Sequence, residues 1–249
     1  MTRTPAEVAR IALSCLDLTS LNDSDGQAQV AALCERAAAT ASRGAVAAVC
    51  VWPRLARFAR AQAPHQVAVA AVANFPDGSS DVQRALRDTA EIVQAGAQEV
   101  DLVLPYRSLL AGDLNACQRV LEAVRRASEG LILKVILESG ELREPGFIEQ
   151  AARLALDAGA DFLKTSTGKT SVSATPRAAQ LMLRTIANDA RSRGRVGFKA
   201  SGGIRSVADA ALYLELVADQ LGAEALVPAR FRIGASALLN EIEIALGAA

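Results

Sequence analysis

The sequence predicts an α/β protein folded as a single (β/α)8 TIM barrel, one domain over residues 1–249, and three observations favour this fold. Short apolar segments rich in β-branched residues recur eight times. Each is followed by a longer Ala- and Leu-rich stretch with charges at helical spacing, which is typical of a parallel sheet. The length suits one barrel, and no linker or low-complexity segment divides the chain. An open doubly wound sheet would also accommodate this count.

The predicted strands are the short apolar segments themselves. They are Ile11–Leu18, Val46–Trp52, Val67–Asn74, Glu99–Leu104, Leu131–Glu138, Asp161–Thr165, Val196–Ala200 and Arg230–Gly234. Capping residues predict where three helices begin: at Ser79, Ser80 or Asp81, at Thr175-Pro176, and at Ser206 or Asp209. Glycines that permit a left-handed turn predict where three helices end: at Gly44, Gly96 and Gly159.

Composition argues against several classes of protein. Lys+Arg and Asp+Glu are both 27, so a net charge of zero gives no general support for binding nucleic acid or an anionic membrane. The apolar stretches are far shorter than the roughly 20 residues of a membrane helix. Four cysteines without a CxxC pair, and no signal-peptide pattern, predict a cytoplasmic location. Because His65 is the only histidine, a His-based metal centre is not expected. We predict no metal and no cofactor.

Polar residues concentrate within or near the C-terminal ends of the predicted strands. They are Asp17, Asn74, Asp101, Glu138, Lys164 and Lys199. Chemistry in a barrel gathers at these ends, and a buried unpaired charge is costly, so these residues need either partners or a function. A satisfied ion network that only fills the barrel mouth is the alternative. Lys134 lies earlier in its strand and is predicted to form an ion pair in a second layer.

Lys164 and Lys199 end consecutive predicted strands and are expected to lie side by side. Burial and a neighbouring ammonium both disfavour a charged lysine, so the pKa of Lys164 is predicted to fall well below its usual value. A free amine at neutral pH can attack a carbonyl and form a Schiff base. Asp101 is predicted to move protons, directly or through water. Alternatively, the lysines pair with Asp101 or Glu138 and do nothing else.

Three glycine-containing segments follow the last three predicted strands. They are Thr167-Gly168-Lys169, Ser201-Gly202-Gly203-Ile204-Arg205 and Gly234-Ala235-Ser236. Glycines let backbone N–H groups close on an anion, and barrels often bind phosphate after strands seven and eight. One such segment alone is more often a tight turn, but three in these loops predict a phosphate site. Cys50 receives no chemical role, because buried thiols are usually inert.

At these residues the chain resembles the deoxyribose-phosphate aldolase family, over most of its length. The most specific segments are residues 162–169 (FLKTSTGK) and 197–205 (GFKASGGIR). Further matches cover residues 16–22, 49–53, 73–76, 99–107 and 231–236. The resemblance implies a class I aldolase that reversibly cleaves 2-deoxy-D-ribose 5-phosphate to D-glyceraldehyde 3-phosphate and acetaldehyde, in deoxyribonucleoside catabolism and without a metal.

The resemblance also implies a role for individual residues. Lys164 would form the Schiff base, Lys199 would perturb its pKa, and Asp101 would transfer protons. The implied phosphate contacts are Gly168, Lys169, Gly202, Gly203, Arg205, Gly234 and Ser236. The implied pocket-lining residues are Asp17, Thr19 and Cys50.

Two departures and several alternatives remain. Ala237 stands where some members have a second serine, and the chain ends at Ala249 without the tyrosine-ending tail that assists proton transfer in others. Another lysine-dependent sugar-phosphate aldolase of transaldolase type, a metal-dependent aldolase and a non-catalytic phosphate-binding barrel stay open. The predicted partners are a phosphorylated sugar and acetaldehyde, with no nucleic acid and no membrane. The oligomeric state is left open, and a homodimer is one candidate.

Overall fold

The computed structural model describes residues 3–247, in which eight parallel strands close into a barrel. The strands are β1 (Leu16–Ser20), β2 (Ala48–Val51), β3 (Ala68–Ala73), β4 (Glu99–Val103), β5 (Ile132–Ile136), β6 (Phe162–Lys164), β7 (Gly197–Ser201) and β8 (Phe231–Gly234). Each strand pairs with the next along the chain, and β8 pairs with β1. This closed barrel with helices between its strands confirms the predicted (β/α)8 fold.

Helices connect the strands and cover the barrel. They are α1 (Pro5–Ser14), α2 (Gln27–Ala39), α3 (Pro53–Gln62), α4 (Val82–Gln94), α5 (Tyr106–Leu110), α6 (Leu114–Ala127), α7 (Ser139–Leu142), α8 (Pro145–Asp157), α9 (Pro176–Asn188), α10 (Val207–Leu221) and α11 (Leu238–Ala245). A 3-10 turn, Ala223–Ala225, precedes β8. Among residues 3–247, no helix has both the length and the apolar character that crossing a bilayer requires.

The first predicted strand was wrong over its first half. Residues 11–14 belong to α1, whose N-cap Thr4 forms a reciprocal capping box with Glu7, and Pro5 occupies the first helical position. The buried residues of α1 are Val8, Ala9, Ala12 and Leu13, a spacing that gives one helical face. That face packs against α10 and α11, and β1 begins only at Leu16.

The other predicted boundaries have mixed outcomes. Asp81, Thr175 and Ser206 are the N-caps of α4, α9 and α10, as expected. Gly96 and Gly159 follow the C-caps of α4 and α8 with φ of 74° and 84°. The prediction for Gly44 was wrong, because α2 already ends at Ala39 and the glycine follows a separate turn formed by residues 41–43.

Side chains alternate along each strand, which separates two environments. One set faces the surrounding helices and is apolar, as with Leu133 and Val135 of β5. The other set faces the barrel interior, where Lys134 of the same strand meets Asp101 of β4. The barrel interior therefore contains charged side chains, and these form the floor of the site.

Candidate active site

Six charged side chains fill the barrel interior, and each is at most 5% exposed. They are Asp17 of β1, Glu99 and Asp101 of β4, Lys134 of β5, Lys199 of β7 and Arg232 of β8. All six lie inside their strands. These charged side chains therefore lie inside the barrel, one layer below the strand ends. The sequence had placed some of them at those ends.

Asp101 is the centre of this cluster. Its Oδ1 accepts a hydrogen bond from Lys134 at 2.7 Å. Its Oδ2 accepts one from Lys164 and one from Lys199, each at 2.8 Å. Lys164 and Lys199 are also register partners across β6 and β7. The structure thus brings the two lysines together at one carboxylate oxygen, so their nitrogens lie at most twice that distance apart.

The ammonium of Lys199 is held by two carboxylates. Besides Asp101 it donates to Asp17 Oδ2 at 2.5 Å. Burial works against the charge, but Asp101 and Asp17 outweigh it and raise the pKa of Lys199 above its usual range. Burial likewise opposes the charge of Lys134, yet Asp101 and Glu99 raise its pKa. Both lysines are therefore cations at neutral pH.

Lys164 has a different environment. It is the last residue of β6, and its Nζ has one hydrogen-bond acceptor, the Asp101 oxygen that Lys199 also uses. Burial lowers the pKa of Lys164; the Asp101 carboxylate opposes this, and the Lys199 ammonium adds to the lowering. Among the described residues, Lys164 lines the open cavity above the interior cluster, whereas none of the six charged side chains of that cluster does. Of the three buried lysines, Lys164 is therefore the one whose amine borders the cavity.

A cavity of about 250 Å³ opens above Lys164 at the C-terminal ends of the strands. Its walls come from the loops after β1, β6, β7 and β8. The lining residues are Thr19, Leu21, Asn22, Lys164, Thr167, Gly168, Lys169, Ser201, Gly202, Gly203, Ile204, Arg205, Gly234, Ala235, Ser236 and Ala237. All seven residues predicted to contact phosphate therefore share one cavity with the predicted Schiff-base lysine.

Close packing requires glycine at two positions of this wall. Gly202 has φ of 86°, and a Cβ there would lie 2.5 Å from Ser173 Cβ. A Cβ at Gly234 would lie 2.7 Å from Ser201 Oγ and 3.1 Å from Lys199 Cε. A side chain at either position would displace the loop or the lysine, so glycine keeps the wall open.

The N-terminus of α11 adds backbone donors to the same wall. Ala237 is its N-cap residue and offers no side-chain cap, so the first N–H groups of α11 have no side-chain acceptor. Free N–H groups and the helix dipole favour an anion at this end. The absence of a serine at position 237 thus leaves the backbone donors in place.

The remaining predicted pocket residues lie at two depths. Thr19 lines the cavity, whereas Asp17 and Cys50 are fully buried beneath it. The Sγ of Cys50 lies 3.9 Å from Asp101 Oδ2. Burial, reinforced by the Asp101 charge, raises the pKa of the Cys50 thiol to about 11, so it stays neutral.

Glu138 and Asn74 hold loops at the mouth of the barrel, outside the interior cluster. Glu138 has a left-handed backbone with φ of 55°, and its carboxylate accepts from the Thr167 hydroxyl at 2.5 Å and from the Thr170 hydroxyl at 3.3 Å. Asn74 Nδ2 donates to the carbonyls of Ser79 and Val103. Glu138 therefore fixes the loop that carries Thr167 against the cavity.

Sequence reasoning missed Glu99 and Arg232. Arg232 donates to both oxygens of Glu99, at 2.7 and 3.2 Å, and to Asp17 Oδ1 at 2.7 Å. The available signal was strand periodicity, because Glu99 lies two residues before Asp101 on the same face. Arg232 is likewise a charge between apolar neighbours in a predicted strand. For a metal, the described residues hold no group of three or more His, Cys, Asp or Glu side chains suited to binding one.

Comparisons with known proteins agree with this geometry. The family model described as DeoC/LacD family aldolase matches residues 11–243. The chain is 44% identical to deoxyribose-phosphate aldolase of Agrobacterium fabrum over 241 residues, which cover 96% of this chain and 91% of that protein.

Solved structures give the same result. The tetrameric deoxyribose phosphate aldolase of Aeropyrum pernix has a TM-score of 0.73 at 26% identity, over 96% of this chain and 91% of that one. An apo structure from Toxoplasma gondii ME49, provisionally named a deoxyribose-phosphate aldolase, has a TM-score of 0.88 at 28% identity, over 98% of each chain. Because the family model covers most of its length and the Agrobacterium relative is 44% identical over 96% of it, the chain belongs to the DeoC/LacD family of aldolases.

Proposed function

We propose that this aldolase reversibly cleaves 2-deoxy-D-ribose 5-phosphate to D-glyceraldehyde 3-phosphate and acetaldehyde, through a Schiff base on Lys164. One observation carries the proposal: the lysine whose pKa is lowered and the three glycine-rich loops line a single cavity. A covalent amine at the floor and an anion site in the wall fit a phosphorylated sugar. The name of the Agrobacterium relative supports the same substrate.

In the synthetic direction, the reaction begins with the free amine of Lys164. The amine adds to the carbonyl carbon of acetaldehyde and gives a carbinolamine. Protonation of the carbinolamine hydroxyl lets it leave as water, and a protonated imine remains. Asp101, whose Oδ2 lies 2.8 Å from Lys164 Nζ, is the carboxylate in reach of these transfers.

Carbon–carbon bond formation follows from the imine. Because the protonated imine withdraws electrons, the methyl group loses a proton to a water held by Asp101, and an enamine forms. The enamine carbon attacks the aldehyde carbon of glyceraldehyde 3-phosphate, and the aldehyde oxygen takes up a proton. Water then hydrolyses the new imine and frees Lys164. The imine itself accepts the electrons, so no step calls for a metal.

The phosphate end of the substrate is assigned to the glycine-rich wall. Backbone donors would come from Gly202 and Gly203 and from the N-terminus of α11, and Gly234 lines the same wall. Lys169 and Arg205 line the same cavity and supply positive charge. The phosphate would thus lie on the side of the cavity formed by β7 and β8, and the reacting aldehyde would lie over Lys164.

Trapping the imine tests this proposal. Acetaldehyde and sodium cyanoborohydride should add an ethyl group to Lys164, which peptide mass spectrometry would locate. Lys164→Arg keeps a cation but should give no adduct at position 164, whereas an exposed amine such as that of Lys169 can be ethylated in both proteins. An unmodified protein, or ethylation of Lys199 in place of Lys164, would contradict the proposal.

Donor specificity separates the alternatives within the lysine aldolases. We expect acetaldehyde to be a donor and dihydroxyacetone not to be one, since a transaldolase-type enzyme would accept the three-carbon unit. Activity should persist in excess chelator, because a metal-dependent aldolase would lose it. A non-catalytic phosphate-binding barrel would bind phosphate and form no adduct.

Assembly and location complete the proposal. A homodimer is proposed, and light scattering of the purified chain would test it; the tetramer is a property of the Aeropyrum relative. A cytoplasmic location is supported by four cysteines that are buried and unpaired, as a reducing compartment would leave them. Fractionation of cells that express the tagged chain would test it.

A further inference from the structure

The charges of the barrel interior balance without Lys164. Three carboxylates, those of Asp17, Glu99 and Asp101, face three cations, those of Lys134, Lys199 and Arg232. Lys164, which contacts this cluster at Asp101, adds a fourth cation when it is protonated. Because a buried net charge is unfavourable, the least expensive proton to lose is one that the carboxylates do not need.

The contacts of the four cations also single out Lys164. Lys134 lies within 4.0 Å of three carboxylates, and Lys199 and Arg232 each contact two. Of the carboxylates within residues 3–247, Lys164 contacts Asp101 alone, at the oxygen it shares with Lys199. The charge count and the contacts thus both identify Lys164 as the cation that the carboxylates hold least.

Arg232 and Glu99 pair with each other inside this cluster. Arg232 occupies both oxygens of Glu99 and one oxygen of Asp17, which leaves Asp17 Oδ2 for Lys199. Its guanidinium also stacks over the Phe162 ring, with 5.6 Å between Cζ and the ring centroid. Neither residue lines the cavity, so neither is placed to touch a substrate.

We propose that Glu99 and Arg232 are positioning residues whose opposite charges balance the barrel interior, so that Lys164 and not Lys199 or Lys134 is the lysine that loses its proton. This rests on the proposed function, since it explains which amine becomes the nucleophile. The family resemblance implies no role for Glu99 or Arg232, and neither residue takes part in the trapping of the imine.

Other groups that face Lys164 leave this balance unchanged. Cys50 of β2 is a neutral thiol, because burial raises its pKa to about 11. Glu138, after β5, also interacts with Lys164, but its carboxylate contacts Thr167 and Thr170 outside the interior cluster and is the same in every variant compared below, so it does not alter the sign of the expected shifts. Asp101 and Lys199 are the remaining charged neighbours, and both belong to the balanced set.

The proposal predicts shifts of opposite sign for two variants. Arg232→Met removes a cation, so the interior gains net negative charge and Lys164 should keep its proton to a higher pH. Glu99→Gln removes an anion, so Lys164 should lose its proton at a lower pH. Each midpoint should move by about one pH unit, the size expected for one unit charge acting across a screened protein interior.

The measurement is the rate of ethylation of Lys164 by acetaldehyde and cyanoborohydride as a function of pH, followed by mass spectrometry. The double variant, Arg232→Met with Glu99→Gln, restores the balance and should return the midpoint toward that of the unaltered protein. Asp161→Asn is the matched control: Asp161 is bonded to Arg125 and Arg195 at the opposite end of β6. Its midpoint should not move.

Equal midpoints in the two single variants, or shifts of the same sign, would overturn the proposal. If Arg232→Met does not fold, Glu99→Gln alone remains decisive, because a general loosening of the site would admit water and raise the midpoint where charge balance lowers it. Absence of any adduct in the unaltered protein at every pH would instead reject the Schiff-base function. The two failures are therefore distinguishable.

Discussion

At the scale of single residues, Gly234 shows how closely the phosphate wall and the lysines are joined. It pairs with Asp17 and with Ser201 in the two neighbouring strands. The space that a side chain would need there is taken by Ser201 Oγ and Lys199 Cε. A substitution at Gly234 would therefore disturb the ion cluster as well as the phosphate wall.

Gly234→Ala should lower the rate of Lys164 ethylation at neutral pH by about tenfold, since a small displacement of a catalytic group has a large effect. Gly146→Ala is the matched control, because a Cβ there meets nothing within 4 Å. It should leave the rate unchanged and raise the free energy of unfolding by about 0.5 to 1 kcal/mol. Equal rates in both variants would show that the contact at Gly234 is accommodated.

Lys199 is expected to act on Lys164 by charge. Lys199→Met removes a neighbouring ammonium and leaves Asp101 more available to Lys164, so both effects raise the pKa of Lys164. The pH at which the ethylation rate rises, as Lys164 loses its proton, should therefore increase. For each pH unit of this increase, the rate at pH 7 should fall by about tenfold. Lys199→Arg keeps the charge and should shift this pH less. An ethylation rate whose pH dependence is unchanged by Lys199→Met would contradict this role.

At the scale of helices and strands, local signals predicted starts better than ends. Asp81, Thr175 and Ser206 were found because an N-cap needs particular side chains. The error at residues 11–14 arose because a short apolar run suits a strand or a buried helix equally. The deciding signal, the capping box of Thr4 and Glu7, lay upstream in the sequence.

The cap of α10 gives an element-scale prediction, since α10 begins just after the loop that carries Gly202 and Gly203. Ser206 Oγ accepts from the Asp209 N–H, and the Asp209 carboxylate accepts from the N–H groups of Arg205 and Ser206. Ser206→Ala should lower the free energy of unfolding by about 1 kcal/mol. It should also raise KM for glyceraldehyde 3-phosphate several-fold, because the loop loses its anchor.

Asp81→Ala supplies the comparison for this cap. The Asp81 carboxylate caps α4 by accepting from the N–H groups of Gln83 and Arg84, so Asp81→Ala should lower the free energy of unfolding in urea by a similar amount. It lies outside the lining of the cavity, so KM should not change. If both variants raise KM equally, the Ser206 effect is one of general stability.

At the scale of the whole molecule, the sequence could identify charged residues but not their pairing. Lys164, Lys199 and Asp101 were found because each is a charge in an apolar strand. Whether Lys199 prefers Asp17 to Glu138 depends on barrel register, which brings β1 beside β8 and is not encoded in any one segment. For the same reason Glu99 and Arg232 remained unassigned until the barrel was closed.

Acid should weaken the whole barrel. Burial alone would raise the pKa values of Asp17 and Asp101. The cations beside these two carboxylates outweigh burial and hold both pKa values well below their usual range. The unfolded chain therefore binds protons near pH 4 that the folded chain does not, so stability is full above about pH 4 and is lost as pH falls below it. Urea unfolding between pH 7 and pH 3 would measure this loss.

Variants give this prediction a control. Asp17→Asn should flatten the decline below pH 4, because one of the two carboxylates no longer titrates. Glu122→Gln, which breaks an exposed pair with Arg126, should leave the slope unchanged. A decline of equal slope in all three proteins would assign acid sensitivity to other groups.

The seam between β1 and β8 has a consequence for biosynthesis. Only two register pairs join these strands, Leu16 with Ile233 and Asp17 with Gly234, and Asp17 also holds Arg232 from across the seam. A growing polypeptide carries Lys164 before β8, the last strand, has been synthesised. Until the barrel closes, we expect this lysine to be solvated and protonated and therefore slow to react with cellular aldehydes. On the proposed mechanism, its full reactivity would be acquired only when synthesis is nearly finished.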